Sequence, residues 1–436
     1  MTGAEYRRRR RILAKAIGPE ALAILPAARE VTRNRDVHYP FRQGSDFSYL
    51  TGFPEPDAWL VIAPRRKEGE FVLFCRPRDP EREQWDGARL GVEGAVERFG
   101  ADQAYPLTEL DTLMPTLIDG RQRLYYPIGT EAALDAQVMG WVRQVRAKAR
   151  TGAVAPETFV TLESVLHEQR LIKSPSEIAV MRRAARISAC AHSDLMRLCR
   201  PGLNEARLEA EFQHRCALAG ARHLAYPSIV AGGEHACVLH YVENNAPLRD
   251  GDLVLIDAGC ELDGYASDIT RTFPVNGRFT PVQRTIYELV LRAQRAAIER
   301  ARPGRRWNEP HEAAVKVLTR GLVELGILNG KTKDLIKDEA YKPYYMHRTG
   351  HWLGMDVHDV GAYKRDGDWR ELQPGMVLTI EPGLYLGQDE TIPEPYRGIG
   401  VRIEDDVLIT EQGHEILSEA APKEPDAIET LMRHRG

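Results

Sequence analysis

A chain of 436 residues is too long for one ordinary domain and suits two or three. Its 43% hydrophobic and 28% charged residues are the mixture of a soluble globular protein, and a formal net charge of -4 gives no basic field for nucleic acid. The six cysteines, none in a CxxC pair, argue against a zinc knuckle or a disulfide framework and for free thiols in a reducing cytoplasm.

The run Arg7 to Arg11 reads as the solvated face of a first helix. Lys15, Gly18, Pro19 and Glu20 interrupt the apolar segment that a secretory signal needs, and no apolar run reaches membrane-spanning length, so no membrane partner is expected. Apolar runs at Ala21–Leu25, Trp59–Ala63 and Phe71–Cys75, parted by Pro, Gly and charged turns, predict strands in a mixed α/β first part. The texture changes at Lys173-Ser174-Pro175-Ser176-Glu177. Ser176 is placed to cap a helix through Ile178, Met181, Ala185 and Ile187. A boundary here gives an N-terminal domain, 1–172, and a C-terminal domain, 173–436. In the second, helices are expected near 177–200, 204–220, 281–301 and 308–326, and strands at Asp252–Asp257, Ser267–Phe273, Met376–Ile380 and Val401–Ile409. Helices with a mostly antiparallel sheet make this half α+β.

Five residues stand out chemically. Asp257 ends the apolar run Leu253-Val254-Leu255-Ile256, and a carboxylate there needs a partner. Asp268 follows, after an Asp263-Gly264 turn signal. If the two flanking segments pair with an even-length loop, both carboxylates face the same way and repel unless a cation lies between them. His351 sits in Gly350-His351-Trp352-Leu353-Gly354, Glu381 ends an apolar strand before Pro382-Gly383, and Glu404 is expected inside a strand. Singly, each has an ordinary structural explanation. Together, two Asp, one His and two Glu suit a pair of divalent ions bridged by carboxylates and water, such as Mn²⁺, Co²⁺ or Zn²⁺.

The order Asp, Asp, His, Glu, Glu resembles the dinuclear site of the pita-bread (creatinase/aminopeptidase) metallopeptidases over about residues 173–420. That resemblance implies metal ligation by Asp257, Asp268, His351, Glu381 and Glu404, with Asp268 and Glu404 bridging. All five match, which argues against the family's members without metal. The run His351-Trp352-Leu353-Gly354-Met355-Asp356-Val357-His358-Asp359 is similar to the proline-specific branch, where the positions of His240 and His358 contact substrate and stabilise the transition state. His347, Arg402 and Tyr385 match polar residues or weaker candidates around the substrate pocket. In the N-terminal part, Tyr39 to Phe53 and Arg82-Glu83-Gln84-Trp85-Asp86-Gly87 resemble the bacterial aminopeptidase P branch. There the tryptophan matching Trp85 reaches the active site of a neighbouring subunit. Read without the family, Trp85 among charges is an exposed aromatic that suits an interface or local packing.

The resemblance implies hydrolysis of Xaa-Pro peptides by a hydroxide bridging two divalent ions, Mn²⁺ before Co²⁺ or Zn²⁺. Glu381 would act as general base then acid, with His358 and His240 at the carbonyl. A cytoplasmic homodimer or homotetramer is expected by family habit. The nearest alternative is a prolidase confined to Xaa-Pro dipeptides; a non-catalytic peptide-binding member of the family is further off.

Overall fold

The structure is a computed structural model that describes residues 1–434. The chain divides into two compact units, Met1–Arg170 and Leu171–Gly436. Among the described residues, no helix is long and apolar enough to cross a membrane.

The first unit is built on a six-stranded mixed sheet. Its order is Gln103–Pro106, Phe71–Cys75, Trp59–Ile62, Ala21–Pro26, Arg123–Tyr126 and Thr158–Thr161. The three strands expected from sequence are its centre, and they read as unbroken apolar runs because both faces are covered. One face packs Ile24, Val61, Val72, Phe74 and Leu124 with Met114, Ile118 and Trp141 of helices Leu110–Ile118 and Ala132–Ala147. The arginine run departs from expectation. It lies on helix Gly3–Ile17, but Arg9 and Arg10 are buried rather than solvated. The Arg9 guanidinium lies 4.0 Å from the Tyr49 ring and donates to the Tyr49 carbonyl, while that of Arg10 lies 3.8 Å from the Phe71 ring and donates to the Leu50 carbonyl. Stacking and carbonyl acceptors let a cation lie under cover that a simple polar face would not explain.

In the second unit, helices Pro175–Leu198, Glu205–Leu218, Pro281–Ile298 and Glu309–Glu324 accompany five small antiparallel sheets among the described residues, three of three strands and two of two. The first helix is capped by Ser174 rather than Ser176: the Ser174 hydroxyl accepts from the Glu177 amide while the Glu177 carboxylate accepts from the Ser174 amide. Pro175 then occupies the first turn, where its missing N–H costs nothing. Strand Leu253–Asp257 is central, flanked by Ile229–Gly232 and Thr270–Pro274.

Two sequence expectations change here. Asp257 pairs with Thr270, so Asp268 lies before the strand expected to start at Ser267. The Asp263-Gly264 turn instead closes a separate hairpin, Leu262 opposite Tyr265, with positive φ at both turn residues. The expected strand Val401–Ile409 is two strands, Ile399–Arg402 and Asp405–Thr410, paired with Gly383–Leu386 and Val377–Ile380 respectively. Glu404 therefore sits at a break between ladders, not inside a strand. The break is held by Arg271, fully buried, which donates to the Glu404 carbonyl at 2.6 Å and to the Asp405 carboxylate at 2.7 Å.

His192 on the first helix is wholly buried, and its Nε2 donates to the Ala258 carbonyl, 3.0 Å away, next to Asp257. Burial pushes its pKa from 6.5 down to about 4. The unfolded chain therefore binds this proton at a higher pH than the folded one. Stability is full above 6.5 and falls as the pH drops towards 4, by about 3 kcal/mol from this residue. The expected outcome is that His192→Gln has a flatter acid limb in denaturant unfolding between these pH values; an identical limb would refute the assignment.

Candidate metal centre and active site

Five ionisable side chains arrive from separate segments. Asp257 terminates its strand where Gly259 must follow closely: a Cβ there would lie 1.7 Å from the Ser267 carbonyl oxygen. That contact, with the Ser267 amide donating to the Cys260 carbonyl, keeps the two Asp-bearing stretches side by side. His351 lies on an extended segment beside strand Val377–Ile380, the Thr379 amide donating to the His351 carbonyl at 2.9 Å and the Glu381 amide to the Thr349 carbonyl at 2.8 Å. Gly350 permits this approach, since a Cβ would meet the Thr379 carbonyl oxygen at 1.9 Å. Glu381 thus leaves its strand next to His351, and Glu404 is delivered by the break described above.

Asp268, His351 and Glu404 each offer a ligand atom within 4.8 Å of the others. The His351 Nδ1 is 2.9 Å from the Trp352 carbonyl, which can only accept, so Nδ1 carries a proton and Nε2 is the nitrogen turned towards the carboxylates, open to a metal ion once its own proton is displaced. That Nε2 is 3.4 Å from Asp268 Oδ2 and 3.6 Å from Glu381 Oε1. The electrostatics show a shortage of positive charge. Burial raises the Glu381 carboxyl to about 7, and burial with the charges of Asp268, Glu381 and Asp257 holds Glu404 well above its usual range. Asp268 is raised by burial and by Asp257. Burial opposes a charge on His351, yet its hydrogen bond to Asp268 and the charges of Glu381 and Asp268 lift it to about 9. Asp257 alone is lowered against the effect of burial, because Arg402 Nη2 donates to it at 2.7 Å. Tyr226 reaches both Asp257 Oδ1, at 2.7 Å, and Asp268 Oδ1 with its hydroxyl. One proton cannot satisfy two carboxylates, so a cation deficit remains. Hard oxygen donors, one imidazole lone pair and this deficit fit divalent ions.

The centre opens into a cavity of about 600 Å³ lined by Asp257, Asp268, His351, Glu381 and Glu404, and also by His240, His347, His358 and Arg402. His358 stands edge-on to His351, ring centroids 4.3 Å apart. Burial, then the charges of His351 and His240, lowers the His358 pKa. Tyr385 does not line the cavity. It stands behind, its hydroxyl donating to His347 Nε2 at 2.8 Å and accepting from Arg402 Nη1 at 3.0 Å. His347 Nδ1 donates to the Arg348 carbonyl at 2.8 Å, which fixes this tautomer. Burial and the charge of Arg402 push His347 down to about 3, so its 3.7 Å approach to Glu381 is no ion pair. Trp85 is on the short helix Pro80–Asp86 of the first unit and is 85% exposed. Sequence reasoning passed over Tyr226, Thr270 and Asp406. Thr270 donates to Glu404 Oε2 at 2.7 Å, and Asp406 accepts from the Asp268 amide. Tyr226 lies in an unremarkable Ala225-Tyr226-Pro227 stretch, brought here by the pairing of His223–Leu224 with Cys260–Leu262 and by the Ala225 amide bond to the Gly259 carbonyl.

The fold and the centre are those of a metallopeptidase, and the comparisons agree. Residues 179–411 match the model of metallopeptidase family M24 and residues 6–125 that of the aminopeptidase P N-terminal domain. The chain belongs to metallopeptidase family M24, with the pita-bread catalytic fold. It is 48% identical to an Escherichia coli Xaa-Pro aminopeptidase, over 98% of this chain and 97% of that one. It is 39% identical to a human Xaa-Pro aminopeptidase 3, over 91% and 78%. A solved Pseudomonas aeruginosa aminopeptidase PepP superposes with a TM-score of 0.98 at 55% identity, covering 100% and 99%. A zinc-substituted E. coli aminopeptidase P in complex with product gives 0.97 at 47%, with the same coverage.

Loading the centre should displace protons held by Glu404, Glu381 and His351, because ligands must be deprotonated. Calorimetric titration of chelator-treated protein with Mn²⁺ at pH 7, in buffers of different ionisation enthalpy, should show release of about one proton or more. No release would mean that the cluster is already compensated.

Proposed function

We propose that this chain is a metal-dependent exopeptidase that releases the N-terminal residue from peptides whose second residue is proline. In this reading residues 1–172 form the accessory N-terminal domain and 173–436 the catalytic one. The observation that carries it is the convergence of four carboxylates and one oriented imidazole at the inner end of a peptide-sized cavity. Relatives named as Xaa-Pro aminopeptidases, aligned over nearly the whole chain, support the substrate class.

Asp257, Asp268, His351, Glu381 and Glu404 would hold two divalent ions, Mn²⁺ before Co²⁺ or Zn²⁺. When bound, such ions lower the pKa of water and polarise a carbonyl oxygen. Glu381, whose carboxyl is raised by burial in the metal-free centre, is assigned to take the attacking water's proton and return it. That return matters here: a proline nitrogen in a peptide bears no hydrogen, so it must gain one to leave as an amine. His358, neutral near physiological pH because its pKa is lowered, can donate an N–H to the developing oxyanion. His240 lines the cavity and is assigned to orienting the substrate. Both nitrogens of His347 are engaged, so its ring serves as a wall for the proline ring, packed edge-on to Tyr345 at 4.9 Å. Arg402 spends its three nitrogens on Asp257, Tyr385 and Thr270, so it positions Asp257 and neutralises it. Tyr385 supports both. The exposed Trp85 suits a contact between copies of a dimer or tetramer. Six cysteines without a disulfide among them fit a cytoplasmic location.

The expected activity is Mn²⁺-restored cleavage of an Xaa-Pro-Xaa tripeptide by chelator-stripped protein, with an Xaa-Ala-Xaa peptide left intact. Cleavage of an Xaa-Pro dipeptide alone would make the enzyme a prolidase, and no cleavage with any of the three metals would refute the reading. His358→Ala should keep its metal content and lose roughly 10²–10³-fold in kcat, the size of one lost transition-state donor. An unchanged kcat would remove His358 from the chemistry.

A further inference from the structure

We propose that Arg348 determines specificity on the leaving side of the scissile bond: its guanidinium, at the mouth of the cavity, binds a carboxylate of the substrate. The inference rests on the exopeptidase reading. Two guanidiniums belong to residues that line the cavity. That of Arg402 is buried and fully engaged. Arg348 is exposed, and no carboxylate among the described residues pairs with it. Its main chain is fixed, because the Arg348 carbonyl accepts from His347 Nδ1 at 2.8 Å. Its guanidinium lies 5.6 Å from the centroid of the Trp369 ring, and Lys364 Nζ approaches the same ring at 4.4 Å.

This arrangement has chemical consequences. Packing against an indole restrains a guanidinium yet leaves its in-plane N–H donors free, the geometry that takes a carboxylate in bidentate fashion. Arg348 and Lys364 both approach the Trp369 ring, and Arg348 also lines the cavity that holds the acidic cluster. An exopeptidase keeps a single residue on the inner side of the scissile bond, and the remainder of the peptide must leave through the mouth. A negative group a residue or so beyond the proline then meets Arg348. Two sources share this chemistry: the terminal carboxylate of a tripeptide, and an acidic side chain in the third position of a longer peptide.

The test uses full-length Mn²⁺-loaded protein and two peptide pairs. Ala-Pro-Ala is compared with its C-terminal amide, and Ala-Pro-Glu-amide with Ala-Pro-Gln-amide. The wild type should favour the charged member of at least one pair by about fivefold in kcat/KM, the size of an exposed charge pair. Arg348→Gln should bring that ratio to about one, and Arg348→Lys should keep part of it. The pair that shows the preference identifies the carboxylate. Equal rates within both wild-type pairs, or a preference that survives in Arg348→Gln, would overturn the proposal. Calorimetric binding of the dipeptide Pro-Ala and its amide reads the same ratio without turnover. A wild type that cleaves none of the four peptides but binds Pro-Ala more tightly than the amide, through Arg348, would overturn the exopeptidase reading and leave this inference standing.

Discussion

Four carboxylates set beside one another, Asp268 and Glu404 buried and Asp257 and Glu381 half-buried, are the constraint on which the rest of the second unit depends. Such a cluster is unfavourable twice over, through desolvation of each charge and through mutual repulsion. The surrounding structure answers each cost at a particular atom. Arg402 neutralises Asp257, Thr270 donates to Glu404, and Tyr226 bridges the two Asp side chains. What these contacts leave over is a deficit of positive charge, visible in the raised carboxyl groups of Glu381 and Glu404 and the raised imidazole of His351. A fold that concentrates acids and supplies too few bases is arranged for cations from solution.

The geometry of the cluster follows from where strands stop. Asp257 and Glu381 each close an apolar strand, and Glu404 occupies the gap between two ladders. A side chain at a strand end is free of the alternation that would bury it in one face of a sheet. The buried Arg271–Asp405 pair is part of the same device. Breaking one member would leave an uncompensated charge and loosen the segment that presents Glu404.

Much of this was legible in the chain itself, for reasons that are local. A charged residue at the end of Leu253-Val254-Leu255-Ile256 is conspicuous because its neighbours are apolar, and the same holds for Glu381. The central strands of the first unit were equally plain, being apolar on both faces. What stayed hidden depends on partners distant in sequence. Arg9 and Arg10 look solvated until Tyr49 and Phe71 are seen beneath them. The interruption at Glu404 needs Arg271, more than a hundred residues away. Tyr226 has no motif of its own, and its role exists only because the hairpin after Asp257 folds back to it.

One hydrogen-bonded chain connects the centre to its mouth. Arg402 joins Asp257 to the Tyr385 hydroxyl, Tyr385 donates to His347, and His347 donates to the Arg348 carbonyl. Each link has a fixed direction, because Arg402 can only donate and the carbonyl can only accept. The protonation state of His347 is thereby set from both ends, and its low pKa keeps it neutral, so the chain does not reverse as the pH changes within the physiological range. The residue that steadies a carboxylate at the inner end is thus rigidly connected to the backbone of the exposed arginine at the outer end. Exchanging the Arg348 side chain leaves every one of these bonds in place, since only its carbonyl takes part. Position 348 can therefore vary the substrate preference at the mouth without disturbing the acids that define the centre.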